Sequence, residues 1–253
     1  MNKSAVNPDF PSDLMQALAD DGESLAVLHD RELTPDLIRK LKNVAFPRNM
    51  GMLPADSDAE AIWQMMAAAV EQLPAQPEIV DMDDLAADYA AIYLTGACGA
   101  SPCESVWTDD DHLMCQESMF QLREIYEKTG LETADWRCRP EDHLVLQLHY
   151  IVHGLRSAAN HEDWRFLAQV MDEHLLRWLP DFTGRVASRC TQPFYATLAL
   201  LTDAWCDQTR DLLAALLEAP RPDKAEIEAR LRPQQTAKTV IPLTYIPGVA
   251  PGW

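Results

Sequence analysis

The amino-acid sequence predicts an all-α fold, a bundle of roughly ten helices with no sheet. Wherever a hydrophobic pattern can be counted along the 253 residues, apolar side chains recur three and four positions apart. This spacing is the period of an amphipathic helix. No segment of useful length alternates apolar and polar residues, and no strand–helix–strand spacing is present. No internal repeat of about 20–50 residues is visible, so a helical solenoid is not favoured.

The first third of the chain contains four predicted helices. Apolar periodicity indicates helices near 11–20, 35–43 and 78–94. A more regular stripe predicts a helix over 56–73, with Asp56 or Ser57 as its N-cap, because short oxygen-bearing side chains accept hydrogen bonds from the first helical amides. The stripe consists of Ala59, Ile62, Trp63, Met66, Ala69, Val70 and Leu73.

The middle of the chain alternates loops with one further helix. Segments rich in Gly, Pro, Ser and Asp predict loops at 95–111 and 129–140. Between them, helical spacing connects Met119, Leu122 and Tyr126. Gly130 can end this helix, since glycine readily adopts the left-handed conformation of a C-terminal cap.

Three regular stripes follow. A helix is predicted over 140–156, with Pro140 suited to a first helical position. Its stripe is Leu144, Leu148, Ile151, Val152 and Leu155. The next two stripes are Trp164, Leu167, Met171, Leu175 and Trp178, and then Phe194, Leu198, Leu201, Trp205, Leu212 and Leu216. A weaker pattern predicts a last short helix over 223–231.

The loop at 129–140 indicates a boundary between two helical regions, 1–135 and 136–220. A third region, 221–253, combines the short helix with a proline-rich tail. Over 232–253 no helical period is present, so an extended arm is predicted there. Its prolines are Pro233, Pro242, Pro247 and Pro251.

Composition and charge limit the classes of function. The apolar fraction of 47% and the charged fraction of 24% are ordinary for a soluble globular protein. The N-terminal MNKSAVNPDFPSDLMQ has no basic stretch followed by an apolar run, so we expect a cytoplasmic protein. The formal net charge of −19 argues against nucleic acid as a partner. It favours a basic partner, and the alternative is that the acidity serves solubility alone.

The sequence contains no signature of an enzyme or a metal site. The six cysteines are irregularly spaced, which favours reduced thiols over disulfides or a zinc knuckle. None of the seven histidines follows a Glu by three positions, as a di-iron bundle would require. His149 and His153 lie away from the apolar stripe and are expected to be solvated. Phosphate-binding glycine loops and a GxSxG elbow are absent. We therefore predict no catalytic residue, metal or cofactor.

Two segments stand out from this helical background, DYAAIYLTGACGASPCESVW at 88–107 and RPEDHLVLQLHYIVHGL at 139–155. The matching residues are Tyr89, Tyr93 and Gly96; Pro102, Glu104, Ser105 and Val106; Tyr126 and Gly130; and Pro140, Glu141, Asp142, His143 and Leu144. Together they resemble the TorD/DmsD/NarJ family of redox-enzyme maturation chaperones. That family shows a tyrosine-rich helix, a P-x-ES-V loop, Y-x-x-x-G and a P-E-D-H-hydrophobic element in this order. With HLLRWLPDF and PFYATLALLTDAW, the resemblance covers about 88–206.

The resemblance implies a helical bundle of the TorD type that is not an enzyme. It implies a cytoplasmic, system-specific chaperone that binds the twin-arginine signal peptide and the apo form of a molybdoenzyme and assists cofactor insertion before export. The client would be of the DMSO/TMAO reductase, nitrate reductase or formate dehydrogenase type. Cofactor-biosynthesis proteins are further expected partners, whereas nucleic acid and stable membrane insertion are not expected. The chain would be a monomer or a homodimer. The alternative is a helical adaptor or assembly factor for a folded partner, without leader recognition.

A twin-arginine leader presents two guanidinium groups followed by an apolar stretch, so its receptor needs carboxylates beside an apolar groove. In this hypothesis Glu104, Glu141 and Asp142 supply the charge, and the leader-binding loop belongs to region 1–135. The other members of the predicted signal-peptide-binding set are Tyr89, Tyr93, Leu94, Pro102, Ser105, Val106, Trp107, Pro140 and His143.

Each part of this set has a structural alternative. Pro140, Glu141 and Asp142 also have the composition of a helix start, where a proline is tolerated and acidic side chains face the positive end of the helix dipole. Tyr89 and Tyr93 lie one helical turn apart, a spacing that is more often found in a core than on a binding surface.

Overall fold

The computed structural model describes residues 11–231, and within that range the chain is helical and contains no β-strand. Its elements are α1 (Ser12–Asp30), α2 (Pro35–Asn43), α3 (Ser57–Gln72), α4 (Ile79–Tyr89), α5 (Ser105–Thr108), α6 (Glu117–Lys128), α7 (Leu144–Ser157), α8 (His161–Val170), α9 (Leu176–Arg189), α10 (Pro193–Leu216) and α11 (Lys224–Leu231). Two π-helical segments, Ala90–Leu94 and Met171–Leu175, continue α4 and join α8 to α9. Ten helical bodies therefore make up this part of the chain, which confirms the predicted all-α class.

Helix α3 begins as its sequence predicts. The Asp56 carboxylate accepts hydrogen bonds of 2.9 Å from the amides of Asp58 and Ala59. Of the two candidate caps, Asp56 is thus the N-cap, and Ser57 is the first helical residue. Such a side chain satisfies amides that have no partner inside the helix.

Helix α1 is longer than the predicted 11–20, because it continues through Gly22 to Asp30. A Cβ atom at Gly22 would lie 2.7 Å from the Trp205 ring and 2.9 Å from a Val152 methyl group. Glycine therefore allows α1 to approach α7 and α10 closely. The contacts of three helices, which are not visible in the local pattern, explain the glycine at this position.

Helix α7 begins at Leu144, four residues after the predicted start at Pro140. The intervening backbone is used elsewhere, since the carbonyl of Asp142 accepts a hydrogen bond from the Glu104 amide and the His143 backbone is extended. The His143 side chain caps α7 by accepting from the Val145 amide. The expectation that Pro140 lies within the first turn is therefore wrong.

The predicted stripe from Trp164 to Trp178 is confirmed as one continuous helical body over residues 161–189. The π-helical segment Met171–Leu175 lies at its centre, and Pro180 follows inside α9. A proline has no backbone N–H, so Pro180 leaves one carbonyl of the preceding turn without its usual helical donor. The π-helical insertion carries His174, a side chain that contributes to the site described below.

The core is built mainly where α1 packs on α7 and where α10 packs on α9 and α3. Its largest fully buried side chains are aromatic: Trp178, Trp205, Tyr195, Phe182 and Phe194. Side chains of this size bury about 150–250 Å² each, so they contribute most of the apolar burial in the bundle.

The described residues up to Arg221 form one compact unit, and those from Pro222, including α11, belong to a second. The predicted division near residue 136 stays a prediction. The predicted proline-rich arm at 232–253 lies outside the described residues. Among the helices of residues 11–231, none is both long enough and apolar enough to cross a bilayer.

Candidate functional site

A cavity of about 560 Å³ lies where the π-helical segment Ala90–Leu94, the loop 95–111 and the segment before α7 meet. Seven of the predicted site residues line this cleft: Tyr89, Tyr93, Leu94, Pro102, Val106, Pro140 and His143. The amide of Leu144 donates to the carbonyl of Pro102 at 2.7 Å, and an isolated antiparallel bridge pairs Cys103 with His143. These backbone contacts bring together the two sequence segments that carry the motifs.

Two tyrosines form one wall of the cleft. The ring centroids of Tyr89 and Tyr93 are 4.7 Å apart. The Tyr89 hydroxyl donates to the main-chain carbonyl of Asp30 at 2.8 Å. The Tyr93 hydroxyl is hydrogen-bonded to Nδ1 of His29. The pair is therefore anchored to α1, and it also faces the cavity, so core packing and cleft lining are combined in the same residues.

His29 connects this wall to the interior. Its Nε2 lies 2.8 Å from the hydroxyl of Thr202, which itself donates to the carbonyl of Leu198. We therefore assign the proton to Nε2, and Nδ1 then accepts from Tyr93. Burial lowers the pKa of His29 to about 3, so the ring is neutral at physiological pH.

Glu104 is fully buried behind the loop and is held by an internal polar network. Its carboxylate accepts a hydrogen bond of 3.1 Å from the Gln147 side chain and lies 3.1 Å from Nδ1 of His174. Arg177 approaches the same carboxylate at 3.8 Å. The Glu104 carboxylate thus has its partners inside the protein, and it connects the loop to α7 and to the π-helical segment before α9.

Asp142 is also fully buried and is held by Ser105. One carboxylate oxygen accepts from both the amide, at 2.9 Å, and the hydroxyl of Ser105. The Ser105 hydroxyl oxygen also accepts from the Gln116 amide at 3.1 Å and contacts the Ser118 hydroxyl. Burial raises the pKa of Asp142, and the Ser105 hydrogen bonds offset only part of that shift. This pair joins the loop to the start of α6.

Glu141 faces away from the cleft. It forms a two-point hydrogen-bonded ion pair with Arg123, at 2.8 and 3.1 Å. The same guanidinium lies over the rings of Phe120 and Trp136, 5.5 and 5.3 Å from their centroids. Glu141 therefore belongs to a separate cluster beside α6.

Trp107 packs behind the loop. Its indole N–H donates to the carbonyl of Ser101 at 2.8 Å, and its ring meets Phe182 edge to face. The Arg185 guanidinium lies 4.7 Å from the ring centroid. Half-buried in this position, Trp107 fastens the loop to α9.

Glu104, Asp142 and Trp107 have their partners behind the loop, and Glu141 belongs to the separate cluster beside α6. Contact of these four residues with a peptide stays a prediction. The apolar groups that do reach the cleft include one residue that the sequence analysis missed, Met114. Leu94 and Met114 line the cleft and are 66% and 51% exposed, and the neighbouring Leu113 is 57% exposed. Leu113 and Met114 closely follow the acidic run Asp109–Asp111 in the sequence. This change from charged to apolar residues in a loop was the signal that could have identified Met114.

An ion pair at the rim was also missed. Arg139 lines the cleft and bonds Asp30, the last residue of α1, through both terminal nitrogens. One nitrogen donates to the carboxylate, and the other donates to the main-chain carbonyl at 3.3 Å. Burial raises the pKa of Asp30, but hydrogen bonds from Arg139 and Arg31 outweigh it and bring the pKa below its usual value.

In the part of the chain that the structure describes, no three His, Cys, Asp or Glu side chains cluster closely enough to hold a metal ion. The six cysteines are free thiols, and three of them, Cys98, Cys103 and Cys206, are buried. Burial raises the pKa values of Cys103 and Cys206, so both stay protonated. The site is therefore best described by its shape and its hydrogen-bonding groups.

Comparison with known proteins identifies a family model. The model described as "Nitrate reductase delta subunit" matches residues 54–184, which is more than half of the chain. The match includes the tyrosine wall, the loop and the segment before α7, and so covers every residue that lines the cleft. Helix α1, which anchors the two tyrosines, lies outside the match.

Curated relatives extend this similarity. The chain is 29% identical over 177 residues to the chaperone protein TorD of Shewanella piezotolerans, covering 63% of this chain and 80% of that protein. It is 32% identical over 147 residues to a Vibrio cholerae TorD, covering 53% and 64%. It is 27% identical over 146 residues to the chaperone protein YcdY of Escherichia coli, covering 58% and 70%. All three relatives are named as chaperones.

Proposed function

We propose that this chain, which belongs to the nitrate reductase delta subunit family of TorD-type chaperones, binds the twin-arginine signal peptide and the apo form of a molybdoenzyme in the cytoplasm. The chain is a redox-enzyme chaperone and not an enzyme. In this proposal it holds the client, of the DMSO/TMAO reductase, nitrate reductase or formate dehydrogenase type, until the cofactor is inserted and export can begin.

The cleft is the observation that carries the proposal. Its volume of about 560 Å³ lies within the range of about 300–1,000 Å³ that is usual for binding sites. Large apolar side chains that are more than half exposed lie in it or beside it: Leu94, Leu113 and Met114. Clustered exposed apolar groups mark interaction sites. The apolar stretch of a leader is a suitable occupant.

The charge distribution favours a basic segment next to that apolar stretch. The chain carries a formal charge of −19, and Asp109–Asp111 precede the apolar pair Leu113 and Met114. These carboxylates belong to the loop that supplies Met114 to the cleft, and they attract a positively charged peptide over about 8–10 Å, the distance at which salt screens such fields. A leader with arginines before its apolar run matches this order of charge and apolar surface.

Peptide binding can be tested with a matched pair of variants. Leu94→Glu places a charge in the cleft, and Ile79→Glu makes the same change at an 81% exposed position on α4 outside it. We expect Leu94→Glu to weaken a twin-arginine leader at least about tenfold in calorimetric titration, because the apolar stretch would have to desolvate a carboxylate. Ile79→Glu should leave the affinity unchanged.

Equal affinities of the two variants would contradict the cleft assignment. If no leader binds to the wild-type chain while the mature, folded client is still captured, the chain is a helical adaptor for a folded partner. The leader peptide and the leaderless client are therefore tested side by side.

A further inference from the structure

We propose that Asp30 is the receptor for a peptide guanidinium at this cleft, and that Arg139 occupies the receptor in the free chain until a peptide arginine replaces it. The inference rests on the proposed function and adds two residues to it. It concerns how the cleft distinguishes arginine from lysine.

The receptor presents two acceptors to one guanidinium. Arg139 donates one nitrogen to the Asp30 carboxylate and the other to the Asp30 main-chain carbonyl. This carbonyl lies at the C-terminus of α1, where helical carbonyls lack intrahelical donors and carry partial negative charge. A planar guanidinium can reach both oxygens at once, whereas a compact ammonium group lacks this fork. The geometry therefore selects arginine.

Asp30 is accessible, in contrast to the carboxylates of the motif. Its side chain is 22% exposed and that of Arg139 is 33% exposed. Glu104 and Asp142 are fully buried, and Glu141 is paired with Arg123. The receptor also adjoins the aromatic wall, since the Tyr89 hydroxyl donates to the same Asp30 carbonyl. Asp30 itself does not line the cavity, so a peptide arginine that enters along the tyrosines reaches it where Arg139, which does line the cavity, is displaced.

Exchange of one guanidinium for another keeps the charge pair and both hydrogen bonds. The carboxylate is already partly desolvated and oriented, so the peptide side chain takes over a preformed site. The apparent affinity for the peptide arginine is its intrinsic affinity multiplied by the fraction of time for which Arg139 leaves Asp30 open. If Arg139 occupies it for about four-fifths of the time, its removal should tighten the binding of an arginine peptide about fivefold.

Arg31 supplies the matched control. It also pairs with the Asp30 carboxylate, at 2.8 Å, but its side chain is 64% exposed and it does not line the cleft. Arg31→Gln and Arg139→Gln remove the same charge from the same carboxylate. Only the second variant vacates the cleft side of the receptor.

The test uses the full chain and a short probe without an apolar segment, N-acetyl-Arg-Arg-amide, with the Lys-Lys compound as its comparison. We expect Arg139→Gln to bind the arginine probe about fivefold more tightly than wild type and to favour it over the lysine probe. Arg31→Gln should bind like wild type. Asp30→Asn, alone or with Arg139→Gln, should lose the preference for arginine.

Thermal melts accompany the titrations. If Arg139→Gln does not fold, Arg139→Lys serves instead, because an ammonium holds the two acceptors less firmly and should also tighten probe binding. The proposal is overturned if vacating the receptor leaves arginine-probe binding unchanged or weaker, or if Asp30→Asn keeps the arginine preference. A full leader that binds while the probe results fail would leave the proposed function standing without this receptor. If the probe results are as expected but no full leader binds, the receptor stands and the proposed function is contradicted.

Discussion

Glu104, Glu141 and Asp142 carry charges that composition alone would place at the surface, yet each is less than 5% exposed. Each finds a specific partner inside: Glu104 faces His174, Glu141 pairs with Arg123, and Asp142 accepts from Ser105. Removing a partner would leave a desolvated carboxylate without its hydrogen-bond donor, which is destabilising. At the scale of residues, Glu104 and Asp142 therefore hold the loop of the cleft from behind, and Glu141 holds the neighbouring α6.

His143 makes the stability of the fold dependent on pH. Burial, with a smaller effect from Arg139, lowers its pKa to about 3, and its Nδ1 accepts from the Val145 amide at 3.1 Å. A protonated ring cannot accept this bond. Since the folded-state pKa is below the unfolded value of about 6.5, the stabilisation is complete above pH 6.5 and is lost as the pH falls towards 3. Through His143, the free energy of unfolding should change by up to about 1.4 kcal/mol per pH unit.

Urea unfolding of His143→Asn between pH 4 and 7 measures this contribution. Asparagine can still cap α7 but does not titrate, so the free energy of unfolding should fall less steeply with decreasing pH than in wild type. Burial raises the pKa of Asp203 to about 6, which acts in the opposite direction, but it is common to both proteins and cancels in the difference. Parallel curves for the two proteins would refute the assignment.

At the scale of elements, helix boundaries reflect which backbone groups are already engaged. The segment from Pro140 to His143 forms a turn that pairs with the loop that contains Glu104, so α7 starts at Leu144, later than the proline at position 140 suggests. The π-helical segments Ala90–Leu94 and Met171–Leu175 have a related effect. The first carries Tyr93 and Leu94 into the cleft wall, and the second carries His174 to Glu104. Insertions of this kind are frequent at functional sites.

The N-cap of α3 provides an element-scale prediction. Asp56→Ala should lower the free energy of unfolding by about 1 kcal/mol, because the amides of Asp58 and Ala59 lose their acceptor. Ser57→Ala, at the next position, should change it by less than about 0.5 kcal/mol. Denaturant melts of both variants decide between the two caps, and a larger loss for Ser57→Ala would reverse the assignment.

At the scale of the whole molecule, α1 is held where three helices meet. It packs on α7, approaches Trp205 of α10 at Gly22, and ends behind the tyrosine wall of the cleft with His29 and Asp30. The family match at 54–184 does not include α1. The cleft therefore depends on a helix that lies far from the motifs in sequence and is positioned only by packing.

Two glycine variants test this packing. Gly22→Ala should destabilise the fold by about 1–3 kcal/mol, since its Cβ would lie 2.7 Å from the Trp205 ring. Gly184→Ala, within α9, meets no atom within 4 Å and should stabilise by up to about 1 kcal/mol, because alanine favours the helix. Thermal or urea unfolding measures both, and a neutral Gly22→Ala would mean that α1 can shift without cost.

The sequence by itself determined the helical class, nearly every helix position and the family. Apolar spacing and capping residues such as Asp56 and Gly130 act over a few neighbours, so they can be read locally. The motif order also identified the segments that form the cleft, and seven of the predicted residues line it.

Only the tertiary structure decided which way each of these side chains faces. Glu104, Asp142 and Trp107 face inward because their partners, His174, Ser105 and Arg185, come from other helices or from the far side of the bridge. Asp30 pairs with the cleft-lining Arg139, 109 positions away in sequence, because α1 ends beside it. Burial and pairing of charges depend on long-range contacts, and no local pattern contains them.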